Sequence, residues 1–147
     1  MDMFRNVSVW KVCASVLVLG SLAGCGAGSG DNASPSPFEG SYSGSFTRNV
    51  TITGEPAQQS GTESLTVSQG GSITGIVNNT TLGNNNVAIT GTIAASGQLS
   101  GSVAYPLATY VLSGTLTKAA GSQLNGPLQV SLNGTNLGTE TVTLTKQ

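Results

Sequence analysis

Residues 87–105 read VAITGTIAASGQLSGSVAY, and this stretch decides the fold. Val87, Ile89 and Ile93 precede Ser96-Gly97, and Leu99, Val103 and Tyr105 follow it, each spaced by an even number of residues from the last within its run. Thr and Ser fill four of the six alternate positions between them, 88, 90, 92, 100, 102 and 104. A period of two places apolar side chains on one face and polar ones on the other, which is the signature of a half-buried strand. Two such runs about a short Gly-containing turn predict an antiparallel hairpin.

Outward from this hairpin the same grammar covers residues 38–147, with no helical periodicity. The alternation predicts strands over 40–53, 62–69, 72–79, 86–95, 98–105, 109–118, 123–133 and 138–146. Turn signals such as Glu55-Pro56, Gly70-Gly71, Ala120-Gly121 and Asn133-Gly134 separate them. Most connections are too short for parallel crossovers, so the strands meander antiparallel. Six of them repeat an apolar–Gly–apolar pattern on one face: Tyr42-Gly44-Phe46, Ile73-Gly75-Val77, Ile89-Gly91-Ile93, Leu99-Gly101-Val103, Leu112-Gly114-Leu116 and Leu124-Gly126-Leu128. Glycine inside a strand marks curvature or close approach, and curvature is what a closed barrel requires. The expected fold class is all-β, an antiparallel eight-stranded up-and-down barrel, with a two-sheet β-sandwich as the alternative that the same alternation would serve.

The chain ahead of this domain has a different character. Arg5 and Lys11 flank a basic start, residues 12–22 are an apolar-to-small run, and Leu22-Ala23-Gly24-Cys25 follows. Eleven residues span about 16 Å as a helix, against roughly 30 Å of bilayer hydrocarbon. The run is therefore sized as the apolar region of a signal peptide rather than a membrane span. Residues 22–25 resemble the lipobox of bacterial lipoproteins. That resemblance implies cleavage before Cys25, a diacylglyceryl thioether on its sulfur and acylation, typically by palmitate, of the new amino terminus. Gly26 stands where an aspartate would mark inner-membrane retention, so the resemblance implies the outer membrane and the periplasm as the route to it. The expected organisation is a signal peptide over 1–24, a lipidated Cys25 with a Gly/Ser/Pro tether over 25–37, and a β-barrel over 38–147. With Cys13 removed and Cys25 lipidated, no disulfide remains and the fold rests on its core.

Composition narrows the function classes. After cleavage Asp31, Glu39, Glu55, Glu63 and Glu140 face Arg48, Lys118 and Lys146, five acids minus three bases, for a net of minus two. That gives no basic patch for nucleic acid. Histidine is absent from the sequence, which removes His-dependent nucleophilic catalysis and the commonest zinc ligand. Neither a metal site, a cofactor nor a catalytic residue is expected. The remaining carboxylates leave Glu63 and Glu140 as the only pair for a hydrolase, the least favoured reading. Arg48, Glu63, Lys118, Glu140 and Lys146 share the parity of the apolar face, and the expectation is that they lie at strand ends and rim the barrel mouths in water. A sharper alternative singles out Arg48: in a closed meander the first and last strands pair, which brings Arg48 near Glu140 as an interior polar or ligand contact beside Tyr42. Tyr42, Tyr105 and Tyr110 are candidates for a mouth lining. The Asn-rich stretch 78–86 reads as polar uncharged surface.

Gly40-Ser41-Tyr42 resembles the opening of a lipocalin barrel. The resemblance covers one tripeptide and carries no ligand-binding residue; the sole tryptophan, Trp10, lies in the signal segment rather than in the first strand. It implies, as an alternative to a structural or interaction role at the envelope, a barrel holding a small apolar ligand. The expected partners are thus a membrane through Cys25 and either such a ligand or an envelope component.

Overall fold

A computed structural model describes residues 34–147. The expected leader, Cys25 and most of the tether lie outside the described residues. Among the described residues nine strands run in chain order: β1 (Gly40–Val50), β2 (Gln58–Val67), β3 (Ser72–Asn79), β4 (Asn84–Ile93), β5 (Gln98–Ala104), β6 (Thr109–Thr115), β7 (Thr117–Ala119), β8 (Gln123–Leu132) and β9 (Thr135–Lys146). Each pairs antiparallel with its neighbour in space from β1 to β6, β1 also pairs β9, and β6 pairs β8. Eight strands therefore close into one barrel, with the three-residue β7 as an extra piece along β8. β6 and β7 together fill the segment expected as one strand over 109–118. They part at Leu116, whose amide donates instead to Gly97 O at 2.9 Å.

The continuous ring excludes the two-sheet alternative. It also explains the glycines. A Cβ on Gly114 would sit 2.5 Å from Pro127 O on β8, and one on Gly44 or Gly75 would collide with the backbone of the adjacent strand. The glycines thus let neighbouring backbones close in at tight curvature, rather than opening a hollow.

Strand ends differ where side chains break the apolar pattern. β2 begins at Gln58 rather than 62, because Gln59 occupies an inward position that apolar alternation cannot reveal. β9 begins at Thr135 rather than 138, because Asn133 (φ 50°) and Gly134 (φ 80°) make a two-residue hairpin turn of the mirror-image kind that suits strand twist.

The two barrel ends are unlike. At the end where β1 starts, Phe38 is buried against the barrel and its carbonyl accepts the Tyr42 hydroxyl at 2.9 Å. Ser36 N donates to Gln69 O at 2.8 Å, so the last residues of the segment expected as tether are fastened to the barrel. Their own backbone hydrogen bonds, and the burial of Phe38, draw the folded body back beyond the expected boundary at 38. At the opposite end the loops 51–57, 80–83 and 105–108 surround the mouth.

Candidate functional site

In the half of the barrel nearer that mouth, the inward-facing positions turn from apolar to polar. Arg48, Gln59, Glu63, Asn79 and Glu140 are all buried there, with Arg48, Glu63 and Glu140 exposed by only 1%, 2% and 0%. This corrects the expectation that the inward-parity charges rim the mouths in water. Lys118 and Lys146 do lie exposed at the end closed by Phe38, donating to Pro37 O and Glu39 O. Parity fixes the face of a residue and not its depth: residues 48, 63 and 140 lie within their strands, whereas 118 and 146 lie near strand ends.

Arg48 and Glu140 are register partners across β1 and β9. Arg48 Nε donates to Glu140 Oε2 at 2.7 Å, and Nη2 lies against the same oxygen. Arg48 Nη1 donates to the Tyr105 hydroxyl at 3.3 Å. Tyr105 OH also accepts from Asn79 Nδ2 at 3.5 Å, and the same amide nitrogen donates to Gln59 Oε1 at 2.9 Å. Gln59 Nε2 donates onward to Glu55 Oε2 at 2.9 Å, and Tyr110 OH donates to Glu55 Oε1 at 3.3 Å. One chain of hydrogen bonds thus runs from the buried ion pair to a half-buried carboxylate at the mouth. Asn79 belongs to this chain although its Asn-rich neighbourhood reads as surface; its pairing opposite Gly61 on β2 is what turns it inward. Tyr42 does not join it. Six residues separate Tyr42 from Arg48 along β1, about 20 Å at strand rise, and its hydroxyl serves Phe38 instead.

The interior holds one guanidinium and two carboxyls. Burial works against the Arg48 charge, but the Glu140 carboxylate and the Tyr105 hydroxyl outweigh it and hold its proton more tightly than usual. Burial likewise pushes Glu140 up, while the Arg48 charge and hydrogen bond pull it back. Glu63 lacks such a contact. Burial, then the nearby Glu140 charge, push it up to about 8 against a smaller opposing pull from Arg48. Its Oε1 and that of Glu140 have no hydrogen-bond partner. The arrangement is neutral when Arg48 and Glu140 are charged and Glu63 keeps its proton, which is the cheapest state for a low-dielectric interior. As an acid pair, Glu63 and Glu140 are walled in by the barrel rather than set in a cleft. Among the described residues no group of three or more metal-binding side chains converges.

Above this interior lies a cleft of about 130 Å³, walled by Glu55, Leu82, Tyr105, Pro106, Leu107 and Tyr110 among others. The Tyr105 and Tyr110 rings stand 5.4 Å apart at 71°, forming a corner. Leu107 at the loop tip is 99% exposed. Burial, followed by the Glu55 carboxylate, raises the Tyr110 phenol, so it remains a neutral donor. Comparison with protein-family models, curated proteins and solved structures yields no match.

Proposed function

We propose that this chain is a lipid-anchored, non-enzymatic protein of the bacterial cell envelope, held at the outer membrane through Cys25, whose barrel presents its open end as an interaction surface. The observation that carries this reading is the opposite character of the two barrel ends. The chain joins the barrel at the end sealed by Phe38, whereas the cleft and the exposed Leu107 belong to the other. The cleft thus lies at the barrel end opposite the one that the tether enters. The filled polar interior supports a structural rather than catalytic role, because Glu63 and Glu140 reach no solvent. Two or three acyl chains at about 0.8 kcal/mol per buried methylene would hold such a protein stably.

Intact-mass analysis of the protein isolated from its host tests the anchor. The expected species begins at Cys25 and carries a diacylglyceryl thioether and an acylated amine. A retained leader, or a free thiol on Cys25, would overturn it. The second reading, a small-ligand binder in the manner of a lipocalin-like barrel, is favoured by the cleft at the mouth rather than by the barrel interior.

A further inference from the structure

We infer that the cleft at the barrel mouth binds a small organic ammonium ion, seated between the Glu55 carboxylate and the corner formed by the Tyr105 and Tyr110 rings. The inference rests on the mouth alone and does not require the lipid anchor.

Three cations stand among the described residues. Arg48 is paired with Glu140, and Lys118 and Lys146 are bound to main-chain carbonyls at the opposite end. Glu55 therefore has no cationic partner among the described residues. Its two oxygens accept from Gln59 and Tyr110, neutral donors that orient the carboxylate without neutralising it. Each carboxylate oxygen can accept more than one hydrogen bond, so capacity for a ligand N–H or a close N⁺ contact remains.

The walls point to the same class of ligand. Aromatic rings attract cations through their π-electron faces, most strongly where water is excluded. The two tyrosines already do so on the inner side, where the Arg48 guanidinium carbon lies 5.7 Å from the Tyr105 centroid and 6.0 Å from that of Tyr110. That inner cation is neutralised by Glu140, which leaves the charge of Glu55 to be answered from the cleft side. Leu82, Pro106 and Leu107 supply apolar surface for the alkyl part of the ligand. An anion would be repelled by Glu55, and a sugar would leave hydroxyls facing apolar walls. The volume of about 130 Å³ is close to the roughly 150 Å³ cavity known to accept a benzene-sized guest. The ligand is thus limited to a few carbons around the nitrogen.

The test uses the full chain in non-ionic detergent, titrated with choline and with the neutral alcohol in which a tert-butyl group replaces the trimethylammonium. Binding is followed by calorimetry and by the tyrosine ring resonances. Choline is expected to saturate the site and to bind at least about tenfold more tightly than its neutral isostere. Glu55→Gln should weaken choline about tenfold and leave the isostere unchanged, with the thermal transition of the variant confirming an intact fold. Displacement of choline by a monomeric short-chain phosphatidylcholine would assign a lipid headgroup as the source of the cation; failure to displace it would assign the free ion. Equal affinity for choline and the isostere would overturn cation recognition. So would the absence of saturable binding by both choline and ethanolamine into the tens of millimolar.

Discussion

Arg48 and Glu140 are direct cross-strand partners at the seam where the first and last strands close the barrel, joined by a 2.7 Å hydrogen bond although 92 residues separate them in the chain. The pair is shut off from water, with a second carboxyl, Glu63, close enough for the Glu140 charge to act on it. Such a pair offsets its own desolvation only while both members remain, so a slip of β1 against β9 that parted them would leave two buried charges unpaired.

Removing one member should therefore be far more costly than removing both. Arg48→Met is expected to destabilise the fold by about 3–5 kcal/mol, because it strands a buried carboxylate. The double variant Arg48→Met with Glu140→Leu should recover most of that loss. Urea unfolding midpoints of the single and double variants check this; a single variant as stable as the parent would show that the buried carboxylate does not depend on its partner.

Glu63 makes stability depend on pH in a defined direction. Its carboxyl is raised from an ordinary 4.5 to about 8 in the folded chain. Between those values the unfolded chain releases a proton that the folded chain keeps, so the unfolded state gains. Stability from this group is complete below about 4.5, declines as pH rises by at most about 1.4 kcal/mol per unit, and levels off above about 8. Glu63→Gln should flatten that decline. Denaturation curves at several pH values, compared between parent and variant, would show it.

Glycine on the inner face is expected to be intolerant where a neighbouring backbone fills the space. Gly114→Ala places a methyl 2.5 Å from Pro127 O and should cost about 1–3 kcal/mol through overpacking. Gly70→Ala meets nothing closer than 4.0 Å and should be neutral or stabilise by up to about 1 kcal/mol. A thermal melt of each variant separates the two cases, and similar effects would argue against backbone proximity as the reason for the glycines.

Phe38 should behave as a core residue although it precedes β1. It is buried, packs near Gly97 and lies 6.0 Å beneath the Lys118 ammonium. Phe38→Ala is expected to cost about 3–5 kcal/mol. It should also raise hydrogen exchange at the amide of Ser36, which bonds Gln69 O. A loss below 1 kcal/mol would place the start of the folded body at Gly40 instead.

Much of this architecture was legible in the chain, for a local reason. Side chains at residues 87–105 alternate because a strand with one wet face demands it, and turns such as Asn133-Gly134 require residues that accept positive φ. Those constraints act over a few residues, so strand number, antiparallel order and the parity of Arg48 and Glu140 followed from them. The glycines of the inner face announced curvature in the same way.

Depth and partnership were not local. Whether Arg48, Glu63 and Glu140 stood in water or in the interior depended on where along the closed ring each strand crossed its neighbours. Whether Gln59 and Asn79 counted as surface depended on their meeting each other across β2 and β3, and on Asn79 reaching the Tyr105 hydroxyl from a distant part of the chain. The sequence by itself determined an all-β meander able to curve, because backbone geometry and hydrophobic period are written residue by residue. Only the tertiary structure decided the single ring, the buried charge cluster and the cleft at Glu55, because barrel closure sets the distance between side chains that no short stretch of chain relates.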